Sequence, residues 1–169
     1  MTMTVSNTHP TWQLDLTAGA LVLTPCPGTK DADLETSLAQ LKAQGVEAIV
    51  TALDDAELAS KDVAALGKKT QALGMQWFQI EIEDDCAPDE AFAAKWQAAT
   101  EALHKIVDNG GKVAMHCMGG SGRTGLLAAH LLLEKGWDLD KIIQEVQALR
   151  PGAFTKPVQV DYITGVAAQ

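Results

Sequence analysis

The chain has 169 residues, 47% of them apolar, and carries 22 acidic against 13 basic residues for a formal net charge of −9. That length suits one domain over residues 1–169, and an acidic balance without a Lys/Arg run argues against nucleic acid or an anionic membrane face as partner, because both are held through clustered Lys and Arg. Apolar runs such as "LLAAHLLL" fall far short of a bilayer span of roughly 20 residues, and "MTMTVSNTHPTW" lacks the regions of a secretory signal, so a cytoplasmic location is expected.

The elements then follow in chain order. "WQLDL" and "ALVLTP", separated by Ala18-Gly19, read as two short strands joined by a tight turn. "DLETSLAQLKAQG" sets Leu34, Leu38 and Leu41 at helical spacing and ends at Gly45. "VEAIVTAL" is a buried strand, "DDAELASKDVAALGKKTQALG" one or two helices, and "MQWFQI" another strand. After a polar loop over 84–87, Pro88, Asp89 and Glu90 suit a helix start. Phe92, Trp96, Ala99, Leu103 and Ile106 form its apolar stripe, and Asn109-Gly110-Gly111 ends it. Strand "KVAMH" leads into "HCMGGSGRTG", and "TGLLAAHLLLEKG", apolar all round, predicts a central buried helix. An amphipathic helix with Leu139, Ile142, Ile143, Val146 and Leu149 on one side is broken by Arg150-Pro151-Gly152, and a last helix from about Lys156 carries Tyr162. This alternation predicts an α/β fold, a mostly parallel sheet with helices on both faces.

The chemistry concentrates between His116 and Gly125. A glycine-rich loop between a strand's C-terminal end and a helix N-terminus is where open α/β sheets place ligands. Gly119, Gly120 and Gly122 let successive backbone N–H groups turn inward as an anion nest, which the helix dipole strengthens. Arg123 grips two phosphoryl oxygens with a planar fork that lysine lacks. The same dipoles and guanidinium stabilise the Cys117 thiolate, a nucleophile aimed at phosphorus. His116 fixes the loop by hydrogen bonding and tunes the thiol, against a merely structural role beside a turn. Thr124 either donates to the sulfur or caps the helix. Ser121 is a small loop residue, and Met118 forms part of the pocket wall. The bland alternative is a glycine turn with an ordinary buried thiol.

These residues resemble the His-Cys, five residues, Arg, Ser/Thr signature of the cysteine-dependent protein tyrosine and dual-specificity phosphatases. Within that superfamily the chain is most similar to the kinase-associated, cyclin-dependent-kinase-inhibitor-3-like phosphatases and their bacterial relatives. "LVLTPCPGTK", "IEDDCAPD", "HCMGGSGRTG" and "LRPGAFTKPVQVDYI" carry the likeness in the right order, the third being the specific one. The resemblance implies the protein tyrosine phosphatase fold and a phosphomonoester hydrolase working through a phosphocysteine, without metal or cofactor. The partner is a phosphorylated protein or a small phosphomonoester.

Expelling an alkoxide or phenoxide needs a proton donor. Glu81 and Glu83 read as solvent-facing strand-end residues and Asp89 as a helix-start carboxylate, which leaves Asp84 and Asp85. Like-charge repulsion within that pair helps one stay protonated. The resemblance of "IEDDCAPD" to the family's acid loop implies Asp84, and that of the C-terminal segment implies that Gln159 helps position water, against its reading as a solvated helix residue. Cys86 is either a redox partner or a small buried loop residue. Cys26, His130 and the four tryptophans read as core. With no lysine between Cys117 and Arg123 and a single tyrosine in the chain, a shallow dual-specificity pocket acting on phosphoprotein is expected over an inositol phosphate site. Two other readings are a weakly active phosphate-binding or scaffold module and a rhodanese-like sulfur transferase.

Overall fold

The computed structural model describes residues 8–30, 32–84 and 86–169. Five strands form one sheet: β1 (Trp12–Asp15), β2 (Ala20–Thr24), β3 (Val46–Thr51), β4 (Gln76–Gln79) and β5 (Lys112–His116). Their order is β1-β2-β5-β3-β4. Only β1, which reaches β2 through a hairpin, runs antiparallel to its neighbour; β2, β3, β4 and β5 are parallel. Gly19 makes that hairpin possible: its φ is +70°, and a Cβ there would sit 2.3 Å from the Gly111 carbonyl oxygen.

Seven helices complete the described chain: α1 (Leu34–Ala43), α2 (Asp55–Ser60), α3 (Leu66–Ala72), α4 (Glu90–Asp108), α5 (Gly122–Glu134), α6 (Leu139–Leu149) and α7 (Pro157–Ala167). The segment read as one or two helices is two, α2 and α3. Between them Asp62 takes φ 60°, a left-handed residue that no helix can continue through. Four of the strands stop one or two residues short of the runs that predict them, while β5 fills its run, Lys112–His116.

Strand alternation sorts the core into two layers. Leu21, Leu23, Val50, Val113 and Met115 pack with α4 and α5. Val22, Ile49 and Ala114, their neighbours along the strands, face Leu38 and Leu41 of α1. Helix α5 lies inside the first layer with Leu126, Leu127, Leu131 and Leu132 at 0% exposure, as its apolar circumference predicts. Helix α4 is capped by Asp89, whose carboxylate accepts the Phe92 N–H at 2.9 Å. At the other end of the α4/α5 contact, Glu134 of α5 accepts from Trp96 Nε1 at 2.9 Å and from His104 Nε2 at 2.8 Å. His130, one turn earlier, sits among Phe92, Trp96 and Tyr162 and shares a 2.7 Å hydrogen bond with the Tyr162 hydroxyl.

The parallel strands all finish at one edge of the sheet. Thr24 and Thr51 flank His116 there in register. The chain therefore delivers four loops, after β2, β3, β4 and β5, to the same place, the position at which parallel sheets carry their sites.

Candidate active site

Cys117 is the first residue past β5 and is 4% exposed. Two donors converge on its sulfur: the Gly120 N–H at 3.3 Å and the Thr124 hydroxyl at 3.1 Å. Thr124 is thus not the helix cap. That place belongs to Ser121, whose side chain makes no capping bond, and the Thr124 hydroxyl, buried in the first turn of α5, is spent on sulfur. Both sulfur donors are fixed by local geometry. Gly120 takes φ +81°, and a Cβ on it would lie 2.6 Å from the backbone of Thr24 and Pro25. The chain after β2 grips the loop from that side, the Cys26 N–H donating to the Met118 carbonyl at 3.0 Å. Gly119 has open space where a Cβ would stand and lines the cleft over the loop.

His116 is completely buried, and loss of hydration lowers its pKa to about 4. Its Nδ1 lies 3.0 Å from the Cys117 carbonyl oxygen, which can only accept, so Nδ1 carries the proton. Nε2 is then the acceptor for the Thr51 hydroxyl at 2.7 Å, and Thr51 in turn receives Trp77 Nε1–H at 2.8 Å. A one-way relay of hydrogen bonds from β4 through β3 pins the neutral imidazole and the carbonyl beneath the thiol. His116 touches the loop backbone and not the sulfur. Trp77, read from sequence as core, is the outer anchor of this relay.

Arg123, 3% exposed, lies in the first turn of α5. Its Nη1 donates to Glu57 Oε1 and Oε2 at 3.0 and 2.9 Å and to the Ile82 carbonyl at 3.1 Å. Nε lies 3.7 Å from Asp84 Oδ1. The guanidinium is therefore anchored by one corner, with the Nε and Nη2 edge left toward the cleft. Glu57 escapes the sequence reading because its visible job is local: with Asp54 it forms the capping box of α2. A capping-box glutamate directly after a parallel strand's C-terminal end is the one available clue.

A cleft of about 230 Å³ opens over the loop, with Asp84, Cys117, Met118, Arg123, Lys156 and Gln159 in its wall. Larger hollows of about 450 and 550 Å³ lie beside Trp137 and beside Tyr162 and contain neither the thiol nor Arg123. The structure thus brings His116, Cys117, Met118, Gly119, Gly120, Ser121, Gly122, Arg123, Thr124 and Asp84 to one end of the sheet. Asp84 is 68% exposed at its side chain. Its rival Asp85 lies outside the described residues. Glu81 pairs with Lys95 instead. Gln159 is not a solvated helix residue: it is 2% exposed, its Nε2 would be 3.0 Å from a Cβ on Gly122, and its Oε1 is buried without a hydrogen bond among the described residues. An unsatisfied buried acceptor at a polar cleft is the place for a water. Cys26 lies behind the loop, and burial together with the charges of Cys117 and Glu57 pushes its thiol up to about 12. Among the described residues no group of His, Cys, Asp and Glu is arranged to hold a metal ion.

Comparison with known proteins places this geometry. The family model Tc-R-P, described as polymorphic toxin system, DSP-PTPase phosphatase, matches residues 26–137. Tyrosine-protein phosphatase CDC14 of Saccharomyces cerevisiae is 34% identical over 93 residues, 54% of this chain and 16% of that protein. CDC14 of Candida albicans is 36% identical over 79 residues, 46% of this chain and 14% of that protein. The chain spans only a small part of either relative. Among solved structures, kinase associated phosphatase (KAP), with its catalytic-site cysteine replaced by serine, is similar at a TM-score of 0.85 and 26% identity, covering 96% of both chains. Tk-PTP in its active form is similar at a TM-score of 0.69 and 25% identity, covering 88% of this chain and 92% of the other. Since the match over residues 26–137 takes in the loop after β5, Asp84 and most of the sheet, the chain belongs to the Tc-R-P DSP-PTPase phosphatases, within the cysteine-dependent tyrosine and dual-specificity phosphatase superfamily.

Proposed function

We propose that the chain hydrolyses phosphomonoesters, phosphoprotein foremost, through a phosphocysteine at Cys117, as one catalytic domain acting in the cytoplasm and independent of metal, cofactor, nucleic acid and membrane. The observation that carries this reading is the convergence on one sulfur of the Gly120 N–H and the Thr124 hydroxyl, beside a buried arginine that lines the same cleft.

In the first step the Cys117 thiolate forms a bond to phosphorus as the ester P–O bond breaks. Asp84 gives its proton to the departing oxygen, which leaves as an alcohol or phenol. The N–H groups of residues 118–122 and the Nε and Nη2 edge of Arg123 hold the equatorial oxygens, where charge gathers. In the second step a water set by Gln159 attacks phosphorus and surrenders a proton to the Asp84 carboxylate. The S–P bond breaks, its electron pair returns to sulfur, and inorganic phosphate departs. Thr124 donates to the sulfur as it regains charge, which makes it a better leaving group. A cleft of about 230 Å³ walled by Met118 rather than by an aromatic slot suits both phosphotyrosine and shorter phosphoserine or phosphothreonine side chains.

The test is Cys117→Ser, assayed on para-nitrophenyl phosphate with EDTA present. Turnover falls by several powers of ten, since the covalent route is lost, while binding of inorganic phosphate persists on the nest and Arg123. A variant keeping more than about a tenth of wild-type turnover overturns the phosphocysteine route.

A further inference from the structure

We propose that Arg150 is a positioning residue for the Cys117 loop, turning the peptide planes of the Gly119 and Gly120 carbonyls so that the N–H groups of Gly120 and Ser121 point into the anion cradle, with the Trp12 ring as its support. Arg150 stands at the C-cap of α6, outside the loop it serves. Its Nε donates to the Gly120 carbonyl at 3.0 Å and its Nη2 to the Gly119 carbonyl at 2.7 Å. Two adjacent carbonyls are thereby held by one edge of a rigid fork, a geometry lysine cannot copy.

The consequence follows from peptide planarity. In a trans peptide the C=O of one residue and the N–H of the next point in opposite directions. Drawing the Gly119 carbonyl toward Arg150 therefore turns the Gly120 N–H the other way, and that N–H is the one found 3.3 Å from the Cys117 sulfur. Drawing the Gly120 carbonyl outward does the same for the Ser121 N–H. Glycine is the residue most able to rotate these planes, and Gly120 already sits at φ +81°. The approach of Thr24 and Pro25 confines Gly120 from one side, and a restraint on the carbonyls themselves keeps either from flipping into the cleft and replacing a donor with an acceptor. Arg150 supplies that restraint, and its charge further polarises both peptides.

Arg150 is itself held. Its guanidinium carbon lies 3.8 Å from the centre of the Trp12 ring on β1, stacked as a cation over an aromatic face. The edge strand, the end of α6 and the catalytic loop are thus joined by one side chain. This inference rests on the reading of the Cys117 loop as an oxyanion cradle.

Alkylation of Cys117, followed by mass spectrometry on its peptide, tests the idea without any turnover. Iodoacetate and iodoacetamide are nearly the same size, but only the first is an anion, so their rate ratio at this sulfur reports the cradle and cancels the reactivity of the thiol. In the wild-type protein the ratio is above one. Arg150→Met lowers it about tenfold and raises the Kd for tungstate in parallel. Arg150→Lys recovers only part of the loss, and Trp12→Leu lowers the ratio by about threefold. A purely structural arginine would move the melting temperature and leave the ratio and the tungstate Kd unchanged; that result overturns the proposal. If Arg150→Met does not fold, wild-type ratios in both Arg150→Lys and Trp12→Leu overturn it instead. Failure of the wild-type protein to hydrolyse para-nitrophenyl phosphate, with the ratio still sensitive to Arg150, would sink the proposed enzymatic function and leave this inference standing.

Discussion

Arg123 turns a single guanidinium nitrogen, Nη1, to both carboxylate oxygens of Glu57, at 3.0 and 2.9 Å, and so keeps its Nε and Nη2 edge for the cleft. The pair is nearly dry on the arginine side, with Arg123 4% exposed at its side chain against 27% for Glu57. A buried arginine left without its carboxylate would keep the Ile82 carbonyl, 3.1 Å from Nη1, and turn toward Asp84, 3.7 Å from Nε. Glu57→Gln keeps the shape of the side chain but removes its charge. It lowers kcat/KM by about 10- to 100-fold, the scale of losing a charged hydrogen bond, and weakens phosphate binding in step. Steady-state kinetics with phosphate as inhibitor check this; wild-type inhibition by phosphate in Glu57→Gln would show that Arg123 needs no such anchor.

Asp84 is 68% exposed at its side chain and lies 3.7 Å from Arg123 Nε in the wall of the same cleft. If it protonates the leaving oxygen, Asp84→Asn slows hydrolysis of alkyl or simple aryl phosphates by roughly 10²–10⁴. For an ester whose leaving group is already a weak base the loss is much smaller. The ratio of the two rates is the diagnostic quantity, and the basic limb of the pH profile flattens with it. Asp85→Asn is the matched control from the same loop. Leaving-group dependence in that variant, and not in Asp84→Asn, would move the acid by one residue.

His116 and His130 both titrate near 4, against an ordinary histidine near 6.5, because burial disfavours the imidazolium. In the unfolded chain each takes up a proton well above that, so between about pH 6.5 and pH 4 the unfolded state binds more protons and stability falls as pH falls. Each histidine contributes a slope of up to about 1.4 kcal/mol per pH unit in that window. The carboxylate of Glu134, held below its ordinary value chiefly by donors from Thr100, His104 and Trp96 against the opposing pull of burial, adds a loss only at lower pH. Urea midpoints at pH 7 and pH 5 measure the slope. His130→Gln, which leaves the loop untouched, halves the histidine share; equal midpoints at the two pH values would refute the assignment of both rings as neutral.

The sequence by itself determined the local chemistry and the order of elements. Leu38 and Leu41 announce α1 by spacing, the apolar circumference of "TGLLAAHLLLEKG" announces a helix buried on all sides, and the run from His116 to Thr124 names the thiol, the nest and the arginine because all of them lie within nine consecutive residues. Nearness along the chain is enough when one loop builds the cradle. Tertiary structure alone decided what surrounds that cradle. Glu57 is 66 residues from Arg123 and Thr51 is 65 from His116, and Arg150 reaches Gly119 and Gly120 from the far end of α6. Each of these side chains has an ordinary local explanation in the sequence: a capping-box glutamate, a strand threonine, an arginine at a helix break. What gives them a second role is the parallel register that ends β2, β3 and β5 side by side. Pairing between strands distant in sequence is set by packing of the two faces, and spacing within one segment carries no trace of it.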